Sequence, residues 1–158
     1  MRKDILLTSL SSLTPQREGN GQTYEYLRYE VASAEEFDQC LVNFYEIPPG
    51  KCNYPYHYHT QNTEVFYILS GEGILETPDG EKTVRTGDVV VFPPGKNSAH
   101  RLYNPSQTQP LVYLDVDTSR SPDILHYPET GKTGISLRGE PGMYFQDDAQ
   151  VGYFDGEK

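Results

Sequence analysis

The chain has 158 residues, enough for one domain with a real core and too few to suggest two. Its 23 acidic residues outnumber 13 Lys and Arg, the formal net charge is −10, and no run of basic residues interrupts that balance. Such a chain repels phosphate backbones and anionic bilayers, which excludes nucleic acid and membrane surfaces as expected partners. Tyrosine is abundant at 13 residues and tryptophan is absent, a bias toward strands and half-buried surfaces.

The N-terminus is basic and then apolar, but Asp4, Thr8, Ser9, Ser11 and Ser12 leave no apolar core for a signal peptide. No stretch is long enough to span a bilayer, and a cytoplasmic location is the expectation. Residues 1–22 form an N-terminal arm that ends in a turn-rich segment, Arg17 to Gln22, and its pattern specifies no element. From Tyr24 to Val31 aromatic and polar residues interleave as in a strand. Ala34 to Asp38 reads as a single helical turn or a loop. Cys40 to Ile47 is a second strand, ended by Pro48-Pro49-Gly50, which cannot continue a central ladder. Cys40 and Cys52 make neither a disulfide framework nor a zinc ribbon and are expected as reduced thiols, Cys52 buried.

The next stretch, Gly50 to Gly71, carries the chemistry. His57 and His59 are two apart, so a strand presents both on one face. Thr60 to Thr63 are turn formers, and Glu64 then opens the apolar run Glu-Val-Phe-Tyr-Ile-Leu. A hairpin of that length returns the carboxylate beside two imidazoles, a donor set for one divalent transition metal: iron, manganese, nickel, zinc or copper. Phe66 and Ile68 share the face of Glu64 and are expected in the core. Val65 and Tyr67 fall on the other face, with Tyr58.

Further strands follow at Glu72 to Thr77, Glu81 to Arg85, Val89 to Phe92, His100 to Tyr103 and Leu111 to Val116, the last with alternating Val112, Leu114 and Val116. Pro78-Asp79-Gly80 and Thr86-Gly87-Asp88 are tight turns between them. His100, after the turn at Pro93-Pro94-Gly95, is a fourth candidate ligand. About eight or nine short strands at this spacing predict an all-β jelly-roll barrel over residues 23–118. Residues 119–158 loosen into short apolar pairs between prolines and glycines. Ser121 to Pro128, Gly131 to Gly139 and Gly142 to Asp148 are expected as edge strands or as an extension packed on the barrel or on a neighbouring subunit, with His126 as a solvated loop histidine. Gly131-Lys132-Thr133 is no phosphate loop, because position 126 is histidine where that loop needs glycine.

Gly50, His57, His59, Glu64 and Gly71 together resemble the first motif of the cupin superfamily, and Gly87, Pro93, Gly95, His100 and Asn104 resemble the second. The two motifs span roughly a third of the chain. Lys96 to Ala99 make the segment before His100 two residues longer than the usual pattern. An even insertion is absorbed in the turn without reversing the face of His100. The resemblance implies a double-stranded β-helix binding one metal through His57, His59, Glu64 and His100. It also implies a metal-dependent enzyme, a dioxygenase ahead of an isomerase, lyase or decarboxylase, acting on a small oxygen-rich molecule. The alternatives are a non-catalytic small-ligand binding or sensing module and a barrel that the metal only stabilises. Outward apolar and tyrosine residues suggest a homodimer.

Overall fold

Alternating side chains become thirteen strands among the described residues, which are 2, 4–33 and 35–157 of this computed structural model. In chain order they are β1 (Gln16–Gly19), β2 (Glu25–Ala32), β3 (Cys40–Ile47), β4 (Tyr58–His59), β5 (Glu64–Ser70), β6 (Glu72–Thr77) and β7 (Gly80–Arg85). Then come β8 (Val89–Phe92), β9 (Arg101–Tyr103), β10 (Leu111–Thr118), β11 (Asp123–Tyr127), β12 (Lys132–Ser136) and β13 (Met143–Gln146). They form a six-stranded sheet in the order β1-β2-β3-β10-β5-β8, a three-stranded sheet β7-β6-β9 and a four-stranded sheet β13-β12-β11-β4. The first two sheets face each other. Tyr45, Ile47, Phe66, Ile68, Leu111 and Tyr113 of the larger one pack on Leu75, Val84 and Leu102 of the smaller one. This is the all-β double-stranded β-helix expected from the strand spacing and the two motifs.

Phe66 and Ile68 are buried and Tyr67 is exposed, so the phase of β5 is the expected one. The alternation on β10 has the opposite phase from its most apolar residues. Leu111, Tyr113 and Asp115 face inward, while Val112, Leu114 and Val116 form the half-buried outer face. Gly71 closes the first motif with φ +92°, and a Cβ there would sit 2.8 Å from the Pro110 carbonyl oxygen, so only glycine fits that turn.

The N-terminal arm contributes β1, which pairs with β2 from Gln16↔Arg28 to Gly19↔Glu25. Asn20 closes the turn, accepting from Gln22 N at 3.0 Å and Tyr24 N at 3.1 Å. Ala34 lies outside the described residues, and the segment after it turns, with Phe37 N donating to Ser33 O at 2.9 Å. β11 pairs with β4, Leu125 opposite His59, which brings the C-terminal strands beside the histidines. His126 is therefore in a strand and not in a loop. It lies opposite Thr133, half-buried, with its ring 5.0 Å from that of Tyr58, because Ile124, Leu125 and Tyr127 supply enough apolar surface to pair. Both cysteines are free thiols, Cys52 buried. Among the described residues no helix is long and apolar enough to cross a membrane.

Candidate metal centre

Backbone pairing aligns the site. His57 N donates to His100 O at 3.1 Å and His100 N donates to His57 O at 2.9 Å, so the two motifs meet at an antiparallel bridge. His59 lies on β4, and Gly95 N holds its carbonyl at 2.7 Å. Glu64 opens β5, opposite Phe92 on one side and Asp117 on the other. The two additional residues before His100 are taken up by a 3₁₀ turn, Lys96–Ser98, with Ser98 N on Gly95 O at 3.0 Å. His100 still points inward and is 1% exposed, the outcome an even insertion predicts.

Each imidazole has one nitrogen tied down. His57 Nδ1 donates to Pro55 O at 2.8 Å, and His100 Nδ1 donates to Ser98 O at 2.9 Å. A carbonyl only accepts, so Nδ1 carries the proton and Nε2 presents a lone pair. His59 Nδ1 is 2.6 Å from Asp123 Oδ2, a carboxylate that orients the ring in the manner of carboxylate–histidine–metal relays. Asp123 is itself fixed by Gln61 N and Asn62 Nδ2, both at 2.9 Å.

His59 Nε2 and His100 Nε2 lie 3.9 and 3.0 Å from Glu64 Oε2. One ligand atom from each of His57, His59 and Glu64 falls within 4.8 Å of the others. Glu64 Oε2 and His100 Nε2 are close but not aligned for a hydrogen bond, and both are buried without a partner. An orphaned buried group costs about 1–3 kcal/mol, and a cation shared by the two relieves both. The donor set therefore fits a transition metal.

The charges agree with that assignment. Burial pushes the His57 imidazole down to about 4, which keeps it neutral as a ligand must be. Burial would lift Glu64, but His100, His57 and His59 outweigh it and pull the carboxyl down to about 2. His59 is pushed down by burial and lifted further by Asp123 and Glu64, so it ends above the usual histidine value. A cavity of about 230 Å³ reaches the site between β10 and the C-terminal strands, with His59, Asp117 and Asp123 among its walls.

Of the four residues expected from the sequence, His57, His59 and Glu64 form one cluster of ligand atoms, and His100 Nε2 lies 3.0 Å from Glu64 Oε2. Asp123 has no local signal, since it lies 64 residues from the histidine it orients. Asp115 and Asp117 did carry one: two acids two apart in an apolar strand share a face. Replacing Asp123 with asparagine puts an amide against Nδ1 and disturbs the tautomer of His59. The expected result is a roughly 10- to 100-fold loss of metal affinity in calorimetric titration, with the fold retained.

A cupin domain model matches residues 43–117. A candidate sugar phosphate isomerase from Acidithiobacillus ferrooxidans superposes with a TM-score of 0.80 at 24% identity, over 93% of this chain and 96% of that one. A sugar phosphate isomerase of the cupin superfamily from Silicibacter pomeroyi gives 0.79 at 20% identity over the same shares. A predicted oxalate decarboxylase from Thermotoga maritima gives 0.63 at 27% identity, over 72% of this chain and 99% of that one. No curated protein matches the sequence. Fold and motif residues together define a cupin barrel with a candidate metal centre. Residues 43–117 of the chain are a cupin domain.

Proposed function

We propose that the chain is a metal-dependent enzyme acting on a small, oxygen-rich and unphosphorylated molecule. The observation that carries this is the cavity beside His59. Its walls are Asp117, Asp123, Asn62, Thr118, Ser136 and the apolar surfaces of Leu41, Leu125, Ile135 and Tyr144, and among the described residues no lysine or arginine lines it. A phosphate group would require cationic or bidentate donors there, so the phosphorylated class named for two of the similar structures is disfavoured.

His57, His59, His100 and Glu64 would hold one divalent transition metal. When bound, that ion supplies Lewis acidity toward a substrate oxygen and, if it is iron, manganese or copper, redox chemistry. Asp123 holds the His59 ring in register, and Pro55 and Ser98 do the same for His57 and His100. The apolar walls exclude water from the face on which substrate rests. An unphosphorylated substrate beside a three-nitrogen, one-oxygen donor set favours oxygen-dependent chemistry over isomerisation of a phosphosugar. A homodimer is part of the same proposal, supported by exposed Met143, Tyr144 and Phe145 on the edge strand β13.

The test is turnover of small diols, hydroxy acids and unphosphorylated sugars by iron, manganese, nickel and zinc forms, in air and without oxygen. Oxygen uptake coupled to substrate loss supports the proposal. Turnover confined to phosphosugars, or tight binding with no turnover in any form, contradicts it.

A further inference from the structure

We propose that Glu64, Asp115 and Asp117, with the amide oxygen of Asn43, form a second cation site that takes a hard divalent ion such as Mg²⁺, Mn²⁺ or Ca²⁺. One carboxylate oxygen from each of the three acids lies within 4.8 Å of the others. Register explains why: Asp117 is opposite Glu64 on β5, and Asp115 is opposite Asn43 on β3, all on the inner side.

The independent observation is a shortage of donors. Asn43 is 6% exposed, pairs with Asp115 from the neighbouring strand β3, and leaves Oδ1 without a partner among the described residues. Glu64 Oε2, Asp115 Oδ1 and Asp117 Oδ1 are buried and unpartnered as well. That gathers four acceptor oxygens with no hydrogen bond joining the acids to one another. Buried acids so crowded repel one another when ionised, and a cation satisfies all four oxygens at once.

Ligand type selects the ion. The cluster offers only oxygen, which suits magnesium, manganese and calcium, whereas the three imidazoles suit softer transition metals. Oxygens about 2.1–2.4 Å from a common ion lie at most about 4.2–4.8 Å apart, and the three acid oxygens lie within 4.8 Å of one another. Asp117 also lines the cavity, so the ion has a path from solvent and would face the substrate. Glu64 belongs to both clusters and would bridge the two ions; the inference rests on the proposed metal centre only through that shared residue.

The experiment counts Mn²⁺ bound to the metal-free full-length chain by equilibrium dialysis, with circular dichroism as the check of folding. Two ions per chain are expected, one of them displaced by excess Mg²⁺. The double variant Asp115→Asn, Asp117→Asn should bind one ion that Mg²⁺ does not displace. His57→Ala should keep the ion that Mg²⁺ displaces. A wild-type count of one, lost in His57→Ala and retained in the double aspartate variant, overturns the second site and leaves the histidine centre standing. A count of one with the reverse pattern supports the oxygen site and removes the histidine centre. If the double variant does not fold, the wild-type count and its Mg²⁺ competition decide the matter alone.

Discussion

Chelation should lower the melting temperature of the metal-loaded protein by roughly 10 °C. An ion held at about a thousand times its dissociation constant stabilises the folded state by about 4 kcal/mol, and each kcal/mol moves the melting point of a chain this size by about 2–4 °C. The structure gives the gain a physical source. Without a cation, Glu64 Oε2 and His100 Nε2 stay buried and unpartnered, and His57 and His59 have only their Nδ1 atoms engaged. Calorimetry of the loaded protein with and without a strong chelator measures the difference directly. Coincident transitions would mean that the four side chains satisfy one another without an ion.

Asp115→Asn should reshape the pH dependence of stability in the metal-free protein. Burial lifts the Asp115 carboxyl well above its ordinary range, and Asp117 and Glu64 lift it further. An unfolded aspartate titrates near ~3.9, so the native state binds a proton that the unfolded chain releases. The contribution of that group is complete below about pH 4 and is lost as pH climbs toward the raised native value. Asparagine does not titrate. The variant should therefore gain on the wild type by up to about 1.4 kcal/mol per pH unit from about pH 4 upward.

His57 acts in the opposite sense, because burial takes it down to about 4 and the unfolded chain carries the extra proton. Its contribution is complete above about pH 6.5 and disappears as pH falls toward about 4. In the wild type the two trends oppose each other, and Asp117, also lifted by burial and by Glu64, adds to that of Asp115; Asp115→Asn removes one of the two acids, so the stability of the variant should climb relative to the wild type between about pH 4 and 6.5. Urea unfolding across that range, with chelator present, supplies the comparison. Parallel curves for variant and wild type would contradict it.

The barrel was legible because its strands are short, regularly spaced and bounded by turns whose chemistry is local. His57, His59 and Glu64 were legible for the same reason, since seven residues and one turn separate the first from the last. His100 required the second motif, and the backbone bridge to His57 shows what the motif encodes: two remote segments locked face to face. β1 escaped notice because its four residues are mostly polar, and its pairing depends on Arg28 reaching Gln16 and Glu18. β11 to β13 were legible only as edge strands or a wrapped tail, because they borrow an edge, β4, that exists only once the histidine hairpin has formed. The orienting role of Asp123 is legible only in three dimensions, because its partner is on another sheet strand far along the chain. The acids of β10, two apart on one face, compete with a stronger apolar signal on the other face. Val112, Leu114 and Val116 carry the apolar signal, yet the register with β5 turns Asp115 and Asp117 toward Glu64.

Copper is the most informative ion for the central claim, because its unpaired electron couples to each bound nitrogen and imidazole suits it well. Electron paramagnetic resonance of the Cu²⁺-loaded chain should show superhyperfine splitting from three equivalent-class nitrogens, those of His57, His59 and His100. His100→Ala should reduce the pattern by one nitrogen. A splitting that His100→Ala leaves unchanged, or a spectrum with no imidazole coupling, would place copper elsewhere and contradict the assignment.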